Sequence, residues 1–134
     1  MNPDDRIWNA FRDNCVEVSD PVAANEPLCA LWVYHGQVCN GGHHQYFQNI
    51  FERPEEWRLA VTGARSIGAD EIAENLSAAI AAWEGHRRKL LRNVFSFAKS
   101  AREGEFEDFD DRFFKLEPEF QEAFYAAVVT LGKT

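Results

Sequence analysis

Residues 69–85 read Ala-Asp-Glu-Ile-Ala-Glu-Asn-Leu-Ser-Ala-Ala-Ile-Ala-Ala-Trp-Glu-Gly. Ile72, Leu76, Ile80 and Trp83 recur at three- and four-residue intervals. That spacing lines one face of an α-helix and no face of a strand. Asp70 and Glu71 stand in the first turn, where carboxylates suit the positive end of the helix dipole, and Gly85 supplies a stop. The stretch predicts an amphipathic helix with its apolar stripe turned to a core.

The same grammar extends in both directions. Arg53-Pro54-Glu55-Glu56 starts a helix whose inner face is Trp57, Val61, Ala64 and Ile67, and Gly68 ends it. Asn25-Glu26-Pro27 opens a run with Leu28, Leu31, Trp32, His35, Val38 and Cys39 on one side, ended by Asn40-Gly41-Gly42. A further segment follows through Tyr46, Phe47, Ile50 and Phe51. Near the start, Ile7, Trp8, Phe11 and Cys15 share a face behind Asp4 and Asp5, and Ser19-Asp20-Pro21 reads as a break. Residues 86–104 are ambiguous, although Leu90, Leu91, Val94, Phe95 and Ala98 fit a helix with basic flanks. Phe106, Phe109, Phe113 and Leu116 mark a short helix, and Pro118 opens a last one lined by Phe120, Phe124, Ala127, Val128 and Leu131. With no repeat, no low-complexity linker and no competing strand pattern, the expectation is an all-α, single compact domain over 1–134 with about seven or eight helices.

Composition sets the function classes. A chain of 134 residues with 46% hydrophobic content, eleven Phe and four Trp has ample material for one core and does not have the make-up of a disordered chain. Cys15, Cys29 and Cys39 are an odd set, and the charged residues from Asp4 to Glu17 leave no apolar leader. No run approaches the ~20 apolar residues of a membrane span. The expected setting is therefore reduced and cytoplasmic, with the cysteines acting as small hydrophobes. A net charge of −8 speaks against direct nucleic-acid binding and against docking on anionic membrane, and it suits a basic partner. The charge is uneven: residues 85–102 hold bases and no acid, while the segments on either side are acidic.

The residues assign no catalytic group, no metal and no cofactor. His35 and Cys39 lie four apart with His43 and His44 just beyond, but zinc needs three or four converging ligands. The Gly41-Gly42 turn breaks their shared face, and Cys15, Cys29 and His86 are isolated, so a buried Cys and partly exposed His are expected. A Cys–His nucleophile lacks an orienting third group, and no phosphate-cradling loop follows a strand. The alternative class is an enzyme or metal protein using His35, Cys39 and His43. The most informative feature is acidic: Glu103, Glu105, Glu107, Asp108, Asp110 and Asp111 crowd six carboxylates into nine positions, with Phe106, Phe109 and Phe113 between them at helical spacing. The apolar residues face a core while the carboxylates fan outward. They offer either a solvated face or a surface for a basic protein.

The segment Asn40-Gly41-Gly42-His43-His44-Gln45-Tyr46-Phe47-Gln48-Asn49 resembles the signature of the DNA mimic protein 19-like family, which runs Asn-Gly-Gly, an aromatic, any residue, Gln-Tyr-Phe, any residue, Asn. Ala64-Arg65-Ser66-Ile67-Gly68-Ala69 is similar to its second landmark. Asp110-Asp111-Arg112-Phe113 with Leu116-Glu117 is similar to its third, and together they span about residues 27–130. His43 stands where the family more often has Phe, which implies a wetter setting for that ring. The resemblance implies an all-helical fold and, for the family's named member, a homodimer whose acidic surface imitates the phosphates of DNA and keeps a DNA-binding protein off its operator. Asn40, Gly41, Gly42, Gln45, Tyr46, Phe47 and Asn49 read as architectural: the corner shapes the backbone, Tyr46 and Phe47 fill the core, and Gln45 and Asn49 satisfy buried backbone groups. The leading expectation is a non-enzymatic acidic binding protein that contacts a basic, DNA-binding partner through the six carboxylates from Glu103 to Asp111. The runner-up is an immunity-type protein neutralising a toxin or nuclease.

Overall fold

Proline begins three of the helices, as its fixed φ and missing N–H allow at a first turn and nowhere deeper without cost. A computed structural model describes residues 2–16, 26–50, 53–90, 104 and 106–133. Five helices are present among the described residues: α1 (Pro3–Val16), α2 (Pro27–Asn49), α3 (Pro54–Ser66), α4 (Asp70–Leu90) and α5 (Glu107–Gly132). No strand occurs among them. The class is all-α as expected, but seven or eight helices is a correction to be made at three places.

Gly41 and Gly42 do not end α2. They put a kink inside it, with φ −154° and ψ 17° at Gly41 and φ 77° and ψ −178° at Gly42, and the helix resumes at His43. Pro118 does not open a helix but lies within α5. Pro118 and Phe114, whose carbonyl loses its amide donor, are both exposed, so water can replace the lost bond. Gly85 does not stop α4, which runs on to Leu90, because one exposed glycine costs a helix only about 1 kcal/mol relative to alanine. Gly68 does end α3. The break read at Ser19-Asp20-Pro21 and most of the ambiguous stretch 86–104 lie outside the described residues.

The kinked α2 is the hub, packed on α3, α5 and α1, and α4 closes the circuit between α3 and α5. The α2–α3 approach depends on Gly63, where a Cβ would collide with the carbonyl of Pro27. The core is aromatic: Tyr34, Tyr46, Phe47, Trp57, Phe106, Phe113 and Phe124 are almost wholly buried. Phe47 stacks on Trp83 and meets Trp57 edge-on, and the Trp57 indole N–H donates to the Ile50 carbonyl at 3.1 Å. Ile72, Leu76, Ile80 and Trp83 are all buried, as their spacing requires.

Asn75, buried on the same helix, donates to the Phe109 carbonyl at 2.9 Å and ties α4 to the first turn of α5. At the other end α1 docks through Trp8, edge-on to Phe124 and Trp32.

The cysteine reading is corrected for all three, for Cys39 because it is not buried. Cys15 at the end of α1 and Cys29 at the start of α2 form a disulfide, their Cα atoms 5.2 Å apart, and Cys39 is free and exposed. In chain-entropy terms, closing a loop of this size restrains the unfolded chain by about 3 kcal/mol. Among the described residues no helix is long and apolar enough to cross a membrane.

Candidate functional site

The kink at Gly41-Gly42 leaves the second arm of α2 with a fresh N-terminus, whose amides need partners. Asp110, on the first turn of α5, supplies one. Its Oδ1 accepts the His43 backbone N–H at 2.8 Å and the His43 ring Nδ1–H at 2.7 Å. A carboxylate at a helix start also meets the favourable end of the dipole. Because an ionised carboxylate only accepts, Nδ1 carries the proton, and in the neutral ring Nε2 accepts from the Tyr34 hydroxyl at 2.7 Å. His43 and Tyr34 are fully buried. The wetter setting and partial exposure expected at His43 are thus corrected: two polar partners, not water, satisfy the ring.

A second polar clamp holds the kink from outside. Gln37 on the first arm accepts through its Oε1 from Gln45 at 2.9 Å and from Asn49 at 2.8 Å on the second arm. The expectation that Gln45 and Asn49 serve buried backbone is corrected, since they bind a side chain across the bend. Tyr46 and Phe47 fill the core as expected.

Asp110 and Glu117 are seven residues apart on α5, two helical turns, and they face the same neighbour. Glu117 meets His35 Nε2 at 3.1 Å. Two histidine–carboxylate rungs therefore join α2 and α5, Asp110–His43 and Glu117–His35. The His35 ring is stacked on Trp32 and flanked by Phe113 and Phe120. Cys39 Sγ lies 3.6 Å from His35 Nε2. Partial burial, then the Glu117 carboxylate, push the Cys39 thiol upward, the opposite of what an activated nucleophile needs. The Tyr34 hydroxyl has the order of a relay terminus, Asp–His–Tyr. Its pKa is raised well above the ordinary value by burial first and by nearby acidic groups second. With no exposed surface it has no route to solvent.

Tyr46 is pushed upward in the same way, chiefly by burial. Its hydroxyl is buried with no hydrogen-bond partner among the described residues. Both phenols are held neutral by the fold, so their stabilisation is complete below the unfolded value of about 10 and is lost as pH rises above it. The Tyr46→Phe variant is expected to match or slightly exceed the native protein in urea midpoint at pH 7. It should also lose less stability between pH 9 and pH 11, ranges set by that unfolded value of about 10. An equal alkaline loss in both proteins would contradict the assignment.

The six carboxylates expected to act together separate. Glu103 and Glu105 lie outside the described residues. Glu107, Asp108 and Asp111 are exposed, whereas Asp110 turns inward to His43. Glu119 and Glu122, two turns and more further along α5, are exposed as well. In helical register all five exposed acids fall within one third of the α5 circumference, with Lys115 among them and Arg112 just beyond its edge. Arg112 reaches Glu74 of α4 at 3.8 Å. Acids on the other helices have local partners: Asp4 pairs with Lys133, Asp5 accepts from Tyr125, and Glu56 pairs with Arg53.

Sequence reasoning missed Tyr34, Gln37 and the inward role of Glu117. The available signal was register, because Asp110 and Glu117 fall in step with Phe113, Phe120 and Phe124 rather than with the outward acids.

These features define a class: an all-helical acidic protein whose glycine corner is locked by a partly buried carboxylate from its last described helix. The family model described as DMP19-like protein matches residues 24–130, and the chain belongs to that family. Both the glycine corner and the Asp110 turn lie inside the match. Comparison with curated proteins and with solved structures finds no match.

Proposed function

We propose that this chain is a non-enzymatic binding domain that uses the acidic face of α5 to occupy a basic, DNA-binding protein, as a DNA mimic does. The observation that supports it best is the exposed row Glu107, Asp108, Asp111, Glu119 and Glu122 on one side of one helix. At 1.5 Å per residue this row extends about 22 Å. A duplex carries one negative charge per ~1.7 Å, so a single face is sparser than DNA. Two copies of the face in a homodimer supply the second row that a duplex surface has. The raised Cys39 thiol and the enclosed Tyr34 hydroxyl fit a binding role better than a catalytic one.

The test is capture of basic proteins on immobilised native protein, eluted with salt and separately with duplex DNA. A matched column carries the Asp108→Lys, Asp111→Lys double variant. Asp110 is left intact because it holds the α2 kink. A DNA-binding protein retained by the native column, displaced by duplex DNA and bound at least about tenfold more weakly by the variant, with the gap narrowing as salt rises, is the expected result. The same set of proteins on both columns would sink the reading.

A further inference from the structure

The two histidine–carboxylate rungs between α2 and α5 are not equivalent. The His43–Asp110 rung is closed, since Nε2 faces Tyr34 and the carboxylate also accepts a backbone amide. The His35–Glu117 rung is open. Its Nε2 and Glu117 Oε1 are 3.1 Å apart, Cys39 Sγ is 3.6 Å from the same nitrogen, and the three donor atoms all lie within 4.8 Å of one another. His35 is mostly enclosed, Glu117 partly exposed and Cys39 exposed, so the cluster opens on solvent.

We propose that His35 Nε2, Cys39 Sγ and the Glu117 carboxylate form a zinc site with its fourth position open to solvent. The distances support it. Bonds of about 2.3 Å to sulfur and about 2.1 Å to nitrogen and oxygen, set at tetrahedral angles, give edges of about 3.4 Å for N–O and about 3.6 Å for S–N. The nitrogen–oxygen and nitrogen–sulfur separations lie within a few tenths of an ångström of those edges, and sulfur and oxygen are no more than 4.8 Å apart. Binding takes the Nε2 lone pair, with the ring proton on Nδ1, and releases the Cys39 thiol proton to solvent.

The donor set fits in charge and softness as well. A thiolate and a carboxylate offset the dication, and sulfur with imidazole favours zinc over magnesium or calcium. His35 and Cys39 are one turn apart on the first arm of α2, and Glu117 comes from α5, so the ion would pin the two helices. Packing alone orients the imidazole, since Trp32 stacks on it and Phe113 and Phe120 flank it, while Nδ1 lacks the hydrogen-bond partner among the described residues that a metal-bound histidine ordinarily has. Cys15 and Cys29 are bonded to each other and do not compete for the ion.

The experiment is zinc titration of the full chain, with the Cys15–Cys29 disulfide intact, in competition with a chromophoric chelator, and cobalt(II) substitution read by absorption. One ion per chain is expected, and the cobalt form should show tetrahedral d–d bands with a sulfur-to-cobalt charge-transfer band. Cys39→Ser should abolish that band. Cys39→Ser and Glu117→Gln should each weaken zinc by at least about a hundredfold, since loss of a mere outer-shell partner costs 10–100-fold. Asp108→Asn should bind as the native protein does. Circular dichroism establishes that each variant is folded, and exposed Cys39 carries little packing to lose. Equal zinc affinity in native protein and Cys39→Ser, or a cobalt form without the sulfur band, would overturn the assignment.

Discussion

Replacing Gly42 with alanine is expected to destabilise the fold by about 3–5 kcal/mol and to lower the melting temperature by more than about 10 °C. Two independent effects add. At φ 77° and ψ −178° the residue sits in a region that is essentially reserved for glycine, at a cost of about 1–3 kcal/mol for any side chain. A Cβ there would also lie 2.6 Å from Asp110 Oδ2 and 3.0 Å from its Cγ, so the carboxylate must retreat.

Retreat strains the bonds to the His43 amide and ring and breaks at least one of them, and a charge-assisted bond of this kind contributes about 1.5–3 kcal/mol. The Gly42→Ala, Asp110→Ala double variant should therefore be less destabilised than the two single losses summed, because the collision is removed once. Gly36→Ala is the contrast. Gly36 is exposed inside the same helix with nothing within 4 Å of a Cβ, and that change should be neutral or stabilise by up to about 1 kcal/mol. Urea denaturation of the native protein and these four variants decides the matter. A Gly42→Ala protein within about 0.5 kcal/mol of the native one would show that the corner does not depend on glycine.

The same corner shows what a sequence can and cannot disclose. The stripe Ile72, Leu76, Ile80 and Trp83 was legible because helical burial needs only local spacing, and all four residues are buried. Helix ends were less legible, because a glycine or proline ends a helix only when tertiary packing agrees. Gly41-Gly42 bends α2 instead of ending it, because Asp110, sixty-seven residues away, caps the arm beyond. Pro118 is tolerated because its turn is exposed.

The acidic run was read as one surface because charge is visible without direction. Helical register splits it, sending Glu107, Asp108 and Asp111 outward and Asp110 inward. Glu117 had no visible link to His35 and Cys39, since that cluster exists only where α5 crosses α2. The Cys15–Cys29 bond was hidden for the same reason, being a meeting of two helix ends.

His43→Phe tests the buried chain itself, and the expected loss is about 2–4 kcal/mol. Phenylalanine suits the aromatic surroundings, where Phe47, Phe109 and Phe113 meet the ring. It can neither donate to Asp110 nor accept from Tyr34. The Tyr34 hydroxyl, fully buried, is then stranded at a cost of about 1–3 kcal/mol, and Asp110 keeps only the backbone amide. Tyr34→Phe alone strands the His43 Nε2 lone pair and should cost less, about 1–2 kcal/mol. In the double variant neither stranded group exists, and most of what remains lost is the ring bond to Asp110. The double variant should therefore be at least as stable as His43→Phe alone, with a coupling of at least about 1.5 kcal/mol between the two sites. Additive losses in the cycle would mean that the hydroxyl finds another partner when the imidazole is gone. The Tyr34–His43 bond would then be a contact of convenience, leaving Asp110 and the glycine corner alone to set the bend.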